Sequence, residues 1–199
     1  MATTDESVSN ERKARSRPGT DLALIAAFAA LIAACAVLPA IPVGAGIVPI
    51  TLQTFGVLLA GAVLGARRGF LAVLLYLVVG AAGLPVFAGG AAGLAVFAGP
   101  TAGYLVGFPL AAAACGFLVG RLPARAAARS IPLVFLAGLV SSAAFVHTLG
   151  ILGLMWRVPA DFATAFGIDV VFWPGDVIKN LLLAVVATAV HRAFPDLRR

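Results

Sequence analysis

Long apolar runs, separated by short breaks rich in Pro, Gly and Arg, make up most of the chain. A helix needs about 20 apolar residues to cross the ~30 Å hydrocarbon core of a bilayer, and it satisfies its backbone hydrogen bonds internally. We therefore predict an all-α membrane protein built as a six-transmembrane-helix bundle. The predicted spans lie near residues 21–38, 50–65, 69–82, 103–120, 132–154 and 174–192.

The second and third predicted spans are short for a bilayer, and only Ala66-Arg67-Arg68-Gly69 separates them. Irregular backbone at membrane depth is tolerated where protein covers it. We expect these two spans to meet at a tight turn and to pack inside the bundle.

Composition supports a membrane protein. The chain has 199 residues, of which 62% are hydrophobic and 11% charged, and its mean hydropathy is +1.08. A soluble globular domain needs more polar surface than this. We predict one membrane domain over residues 21–193. Residues 1–20 are basic and lack an apolar core, so they are expected to form a flexible cytoplasmic tail, and residues 194–199 a second, short one. The first apolar run is too long for a cleaved signal peptide.

The basic residues predict the topology. The net charge is +6 and the isoelectric point about 10.4. Of the fourteen Lys and Arg residues, all but Arg157 and Lys179 fall in segments that six spans would place on one side. The positive-inside rule assigns that side, with both termini, to the cytoplasm. Because these residues occupy short breaks between spans, they indicate topology and not a nucleic-acid-binding surface.

The outer loop after the third span contains a short internal repeat. Gly83-Leu-Pro-Val-Phe-Ala-Gly89 recurs ten residues later as Gly93-Leu-Ala-Val-Phe-Ala-Gly99. The segment is too apolar for an open loop and too rich in glycine for a stable helix. We predict a re-entrant or lid-like loop between helices 3 and 4, whose glycine N–H groups are available to an anion or a carbonyl group.

Two opposite charges stand at the head of the sixth span. Asp176 and Lys179 are three residues apart, so they share one helical face. A charge at mid-bilayer depth costs roughly 2.5–3.5 kcal/mol. One interpretation places both groups in the headgroup region, with the lysine stem extended to water. The other makes them the polar anchors of a ligand pocket, and the position of Lys179 against the helix dipole favours a partner outside its own helix.

Two further patterns leave alternatives open. Gln53, between Thr51 and Thr54, lies at the outer edge of the second span, where these side chains either cap and bridge helices or meet a ligand. Small residues in the first span recur at four-residue spacing, which lets another helix approach closely. That helix belongs either to this chain or to a partner subunit. The stripe consists of Ala26, Ala30 and Ala34.

Other chemistry is not indicated. Cys35 and Cys115 stand alone without ligands at metal spacing, so we expect free thiols and no metal. Ser141 and His147 are about 240° apart on an ideal helix, which argues against a serine hydrolase. His147 is expected either to be hydrogen-bonded in the bundle or to line the ligand pocket. Asp161 and Asp169, in the last outer loop, are expected to be solvated. No phosphate-binding glycine-lysine motif is present, so we predict neither an enzyme nor a cofactor bound by this chain.

Taken together and in order, these stretches resemble the BioY family, the substrate-binding (S) components of energy-coupling-factor (ECF) biotin transporters. The resemblance covers roughly residues 20–193. Besides the aspartate and lysine of the sixth span, the matching motifs are Pro49-Ile-Thr-Leu-Gln-Thr, Leu64-Gly-Ala-Arg-Arg-Gly69, Gly83-Leu-Pro-Val-Phe-Ala-Gly-Gly90, Gly99-Pro-Thr-Ala-Gly-Tyr-Leu105 and Gly107-Phe-Pro109.

The resemblance implies high-affinity biotin binding under the outer loops of a multi-pass protein in the bacterial cytoplasmic membrane. A transmembrane coupling protein and two ATPase subunits, which use the ATP, would complete the transporter. Asp176 and Lys179 would then meet the ureido group of biotin, and the alanine stripe would dock the coupling protein. The apolar part of biotin would lie against Phe87, Leu94, Tyr104 and Trp173.

The sequence departs from the family in one respect. Where some members hold the biotin carboxylate with a basic or amide side chain from the loop after span 3, this loop has only glycine, alanine and apolar residues. The remaining candidates for that contact are the N–H groups of Gly89 and Gly90 and the side chains of Thr101, Tyr104 and Gln53.

Two other functional classes compete with biotin uptake. One is an ion-coupled secondary carrier of another small molecule, with Asp176 as the titrating group and Lys179 as its counter-ion. The other is a non-transporting membrane scaffold that binds a partner through the alanine stripe.

Overall fold

A computed structural model describes residues 18–40 and 48–198 of the chain. The predicted flexible tail over residues 1–20 therefore lies almost entirely outside the described residues. The all-helical prediction is confirmed for the described part, which contains no β-strand. The helices are α1 (Pro18–Val37), α2 (Gln53–Leu64), α3 (Ala66–Ala81), α4 (Ala102–Arg121), α5 (Ala124–Ala127), α6 (Ile131–Arg157), α7 (Phe162–Val170) and α8 (Trp173–Ala193).

Each of the six predicted spans overlaps one of these helices. Four of them, α1, α4, α6 and α8, are long and apolar enough to cross a membrane. The other two are shorter, with 12 residues in α2 and 16 in α3. The turn between α2 and α3 lies at Gly65 and not at residues 66–69, because Gly65 takes φ 83° and reverses the chain within a single residue. Arg67 and Arg68 consequently belong to the first turn of α3.

Helix α4 lies at the centre of the bundle and packs against α2, α3 and α6. Close approach depends on small residues at the crossing points. A Cβ atom added to Gly116 would lie only 2.5 Å from the backbone nitrogen of Ala66 at the start of α3. Ala112, one turn earlier on α4, is fully buried. The backbones of α4 and α3 therefore approach closely at this crossing point.

Helix α1 lies at the edge of the bundle, against α2 and α3. It buries Ala29, Ile32 and Ala36 on one face. The predicted stripe of Ala26, Ala30 and Ala34 lies on the other face and is exposed. Internal packing within the described residues therefore does not account for the stripe.

Helix α6 is interrupted at mid-length by a π-helical segment, Ser142–His147, between Ile131–Ser141 and Thr148–Arg157. Such segments often occur at functional sites, because the extra residue per turn redirects side chains. Ser141 donates to the Ala137 carbonyl at 2.7 Å. His147, the last residue of the segment, is buried with 4% of its surface exposed.

Arg68 and Arg192 lie at one end of the bundle. Arg68 forms an ion pair with Asp21 at 2.8 Å and donates to the Leu197 carbonyl, joining α1, α3 and the segment after α8. Arg192 donates to the Ala128 carbonyl beside α5. Asp176 lies 16 residues before Arg192 on α8, or about 24 Å along the helix axis. The acid and the lysine of α8 therefore lie at the opposite end.

The repeat between α3 and α4 forms two 3₁₀ turns, Ala88–Gly90 and Leu94–Ala98. Both copies begin on a glycine with positive φ, Gly83 at 108° and Gly93 at 83°. Their phenylalanines meet edge to face, with the ring centroids of Phe87 and Phe97 5.8 Å apart. Phe87, only 1% exposed, also packs against Tyr76 of α3. The loop is thus folded against the bundle.

Candidate functional site

A cavity of about 270 Å³ lies at the end of the bundle that holds Asp176 and Lys179. Its walls come from the segment before α2, the beginnings of α2, α4 and α8, the π-helical segment of α6 and the loop between α3 and α4. The lining is mainly apolar, with few polar groups, as is usual for small-molecule sites. The polar lining residues are Thr51, Gln53, Thr54, Thr101, Tyr104, His147, Asp176 and Lys179.

The Asp176 carboxylate lies at the centre of the polar wall and is 3% exposed. It forms an ion pair with Lys179 through Oδ1, which also accepts a hydrogen bond from Thr54 Oγ1 at 3.1 Å. His147 Nε2 lies 3.1 Å from its other oxygen, Oδ2. Asp176 therefore connects α8 with α2 and α6. Its place in the first turn of α8 also puts the negative charge at the favourable end of the helix dipole.

Lys179 extends from α8 towards the segment before α2. Its Nζ donates to the Thr51 carbonyl at 3.1 Å in addition to its pairing with Asp176. The prediction of a partner outside its own helix is confirmed by this contact. The Lys179 side chain is 10% exposed, so its stem does not extend to water.

A second buried carboxylate stands behind the first. Asp169, near the end of α7, is completely buried, which corrects the expectation that it is solvated. Its oxygens lie 2.9 and 3.0 Å from His147 Nδ1 and accept hydrogen bonds from Tyr104 and Trp173 at 2.9 and 3.0 Å. The polar atoms of these three partners replace the water that the carboxylate loses.

Asp161 behaves differently from Asp169, although both belong to the same predicted loop. It is the N-cap of α7 and accepts a hydrogen bond from the Thr164 N–H at 2.9 Å. Hydrogen bonds from Thr164 hold the pKa of this exposed carboxyl below its ordinary value. The cap begins α7, and α7 carries Asp169 into the bundle.

The structure brings together six of the ten residues predicted to contact a ligand. These are Asp176, Lys179, Tyr104, Thr101, Gln53 and Phe87. Gln53 also bridges helices, because its Nε2 donates to the Tyr76 hydroxyl at 2.7 Å. This bond agrees with the structural alternative stated for Gln53.

The other four lie outside the cavity lining given by the described residues. Leu94 is 74% exposed. Gly89 and Gly90 are exposed on the loop, and the Gly90 N–H donates to the Phe87 carbonyl at 3.0 Å. Trp173 stacks on His147 with ring centroids 4.7 Å apart and bonds Asp169 behind the cavity wall.

Sequence reasoning missed the role of Asp169. It placed Thr54 at the outer edge of the second span and gave His147 pocket lining as one alternative, but it did not predict their contacts with Asp176. Asp169, Trp173 and Asp176 follow one another at the helical spacing i, i+4, i+7, which places residues on one face. That signal is hidden by the break between α7 and α8. No group of three or more His, Cys, Asp and Glu side chains that could hold a metal is found in the described part of the chain.

The site can now be compared with known proteins. The BioY family model matches residues 8–196. The chain belongs to the BioY family. Two relatives of this BioY chain are proteins named biotin transporter BioY, each 44% identical to it and each aligned over 88% of this chain and 95% of the relative. They come from Rhizobium etli and Rhodobacter capsulatus, with alignments of 177 and 189 residues.

A solved structure has the same fold as this BioY chain. It is the crystal structure at 2.1 Å of the S-component for biotin from an ECF-type ABC transporter. The TM-score is 0.83 at 30% identity, and the match covers 90% of this chain and 95% of the other. The fold of this BioY chain is therefore that of an S component.

Proposed function

We propose that this chain binds biotin as the S component of an ECF transporter and serves its uptake across the bacterial cytoplasmic membrane. Its role is transport and not catalysis. The observation that carries the proposal is the cavity in which Asp176 and Lys179 stand side by side on an otherwise largely apolar wall. The family membership and the S-component fold support the same function.

The hydrogen-bonding capacity of the ion pair fits a ureido group. A carboxylate offers roughly four acceptor positions. Among the described residues, Lys179, Thr54 and His147 use three of those on Asp176, leaving one on Oδ2. An ammonium has three donors, of which Asp176 and Thr51 use two. One acceptor and one donor therefore remain, and these complement an N–H and the carbonyl of a urea. Charge-assisted bonds of this kind are strong in a dry site.

The remaining wall suits the rest of biotin. Phe87, Val96, Leu105, Phe108 and Phe172 offer apolar surface to the bicyclic ring and the valerate chain. For the carboxylate, Thr101, Tyr104 and Gln53 lie on the cavity, and Thr101 is the last residue of the loop between α3 and α4. Gly89 and Gly90 would reach the ligand only after the loop moves.

The full topology belongs to this proposal. We assign α2 and α3 as the second and third of six spans, which puts both termini in the cytoplasm and the cavity towards the outside. The gathering of Arg68, Arg121, Arg125 and Arg192 near one end supports this orientation. The loop of residues 82–101 would then act as the outer lid, and residues 21–193 would form the single membrane domain.

The partners are a transmembrane coupling protein and two ATPase subunits, with membrane lipids around the remaining surface. Ala26, Ala30 and Ala34 are exposed on α1, and their small side chains permit close approach of another helix. We assign the coupling protein to this face. ATP is used by the partner subunits, so this chain needs no cofactor.

A second candidate function is an ion-coupled carrier, which the buried chain Asp169–His147–Asp176 favours. Intramembrane acids next to histidine occur in proton relays. Such a carrier would lose uptake on addition of a protonophore and would not respond to depletion of ATP.

The direct test is a thermal-stability screen of the detergent-purified protein against a panel of vitamins. A ligand that binds only the folded state increases the free energy of unfolding, by about 2.7 kcal/mol when its concentration is 100 times its Kd. The melting temperature rises accordingly. We expect stabilisation by biotin and none by vitamins that lack a ureido group. Stabilisation by another member of the panel, with biotin inert, would overturn the assignment.

A further inference from the structure

His147 faces a carboxylate oxygen with each of its ring nitrogens. Nδ1 lies 2.9 Å from Asp169 Oδ2, and Nε2 lies 3.1 Å from Asp176 Oδ2. An ionised carboxylate only accepts hydrogen bonds, whereas a neutral imidazole has one donor and one acceptor nitrogen. If both acids are ionised, both ring nitrogens must carry hydrogen.

The surroundings favour ionised acids. Asp176 is paired with the Lys179 ammonium and accepts from Thr54. Asp169 accepts from the Tyr104 hydroxyl and the Trp173 indole N–H. Hydrogen bonds and an opposite charge both stabilise the anionic form of a carboxylate. If His147 is an imidazolium, its positive charge and that of Lys179 balance the two negative charges of the acids. The cluster then has no uncompensated buried charge.

We propose that His147 is an imidazolium that positions the Asp176 carboxylate for its ligand, with Asp169 as the counter-charge that keeps the imidazolium in place. The proposal rests on the proposed function, in which Asp176 receives the ureido group. His147 is thus a positioning residue. Asp169 acts through it, from a helix that does not line the cavity.

The elements packed around His147 supply a complete set of partners. From α8 come Asp176, with Lys179 paired to it, and Trp173, whose ring stacks on the imidazole at an angle of 26°. A cation stacked on an indole gains from the ring quadrupole. From α7 comes Asp169, and from α4 comes Tyr104, bonded to that acid. Among the described residues, the charged groups near the imidazole are therefore two acids and one ammonium.

The arrangement fixes the plane of the Asp176 carboxylate. Lys179 and Thr54 hold one oxygen from α8 and α2, while His147 holds the other from α6. A carboxylate whose two oxygens are both held by hydrogen bonds cannot rotate freely about its Cβ–Cγ bond. Its remaining acceptor position is therefore ready before the ligand arrives, which lowers the ordering cost of binding.

The protonation state can be measured without ligand. Nitrogen NMR of protein labelled with ¹⁵N-histidine distinguishes protonated from bare ring nitrogens, and the His147→Gln variant identifies the signals of His147 against those of His191. We expect both His147 nitrogens to carry hydrogen at about pH 8, where an ordinary imidazole is neutral. A bare nitrogen at that pH would overturn the inference.

The positioning role is tested by biotin titration of Asp169→Asn at two pH values. Losing the counter-charge should leave His147 neutral at about pH 8, and one charge-assisted bond to Asp176 is then lost or weakened. We expect biotin affinity to fall about 10- to 100-fold there and to recover largely at about pH 6, while the wild type changes little. His191→Gln is the matched control, because it removes the other buried histidine at the opposite end of α8 and should leave the affinity unchanged.

The outcomes separate the two proposals. If Asp169→Asn shows wild-type affinity and a flat pH profile, the positioning role is wrong while biotin binding stands. An affinity that falls equally at both pH values would show a purely structural role for Asp169 and would also overturn the inference. A wild-type protein that does not bind biotin would overturn the proposed function, and the positioning role with it.

Discussion

Thr54 donates to the Asp176 carboxylate at 3.1 Å, a hydrogen bond between residues that are 122 positions apart in the chain. It joins the first turn of α2 to the first turn of α8 at the wall of the cavity. Both helices therefore begin at the site, and their polar first turns meet there. The arrangement of the site depends on this meeting of helix ends more than on any single loop.

Removing either charge of the ion pair should weaken biotin binding strongly. In Asp176→Asn and Lys179→Met, one charged hydrogen-bond partner of the ureido group is lost and the buried cluster keeps one uncompensated charge. We expect an affinity loss of about 100-fold or more in each variant, measured by calorimetry on protein whose helical content is unchanged. Asp161→Asn, an exposed acid away from the cavity, should bind like the wild type.

Replacing the Thr54 hydroxyl should have a smaller effect. Thr54→Val keeps the side-chain shape and removes one neutral donor to Asp176, while Lys179 and His147 still hold that carboxylate. A typical net hydrogen bond contributes about 0.5–1.5 kcal/mol, so we expect biotin affinity to fall about 2- to 10-fold. A loss as large as that of Asp176→Asn would mean that Thr54 contacts the ligand directly.

Two apolar side chains of the loop between α3 and α4 should differ in importance. Phe87 is buried against Tyr76 and lines the cavity, so Phe87→Ala should cost about 3 kcal/mol or more of stability and also weaken biotin binding. Leu94, in the second copy, is 74% exposed, and Leu94→Ala should leave both properties unchanged. Thermal unfolding and biotin titration of the two variants measure the difference. Weaker binding in Leu94→Ala would indicate that the loop closes over the ligand.

A pair of glycines on α4 tests the packing of the core. In Gly116→Ala the new methyl group would meet the backbone of the turn between α2 and α3, so we expect a destabilisation of about 1–3 kcal/mol. Gly120→Ala, one turn later, has open space around the new methyl group and should be neutral or slightly stabilising. Both variants can be compared by thermal unfolding in detergent. Equal melting temperatures would contradict the close approach of the three helices.

The alanine stripe of α1 should matter for transport but not for ligand binding. In Ala30→Trp a large side chain would project from the exposed face of α1 and block a partner helix. We expect unchanged biotin affinity, but no co-purification with the coupling protein and ATPase subunits. Val140→Trp, on the exposed face of α6, is the matched control and should keep the complex. Intact co-purification of Ala30→Trp would move the docking surface elsewhere.

Most helices were predictable because their signal is local. An apolar run long enough for a bilayer must be helical in order to satisfy its own backbone, whatever surrounds it. The spans over α1, α4, α6 and α8 follow from this rule. The ion pair was equally visible, since Asp176 and Lys179 are three residues apart in a segment where charges are costly. The turn was misplaced at residues 66–69 because the polar Arg67-Arg68 pair suggests a loop. The positive φ of Gly65, which the sequence does not show, marks where the chain reverses.

By itself, therefore, the sequence determined the class of the protein, its helices and the chemical character of one short polar segment. Only the tertiary structure decided which distant groups complete that segment. Tyr104 reaches Asp169 across 65 residues, and Lys179 reaches Thr51 across 128. The physical reason is that a buried charge is stable only with partners, and a sequence shows the charge but not the partners. The burial of Asp169, the role of His147 and the exposure of Leu94 all depend on how the helices pack.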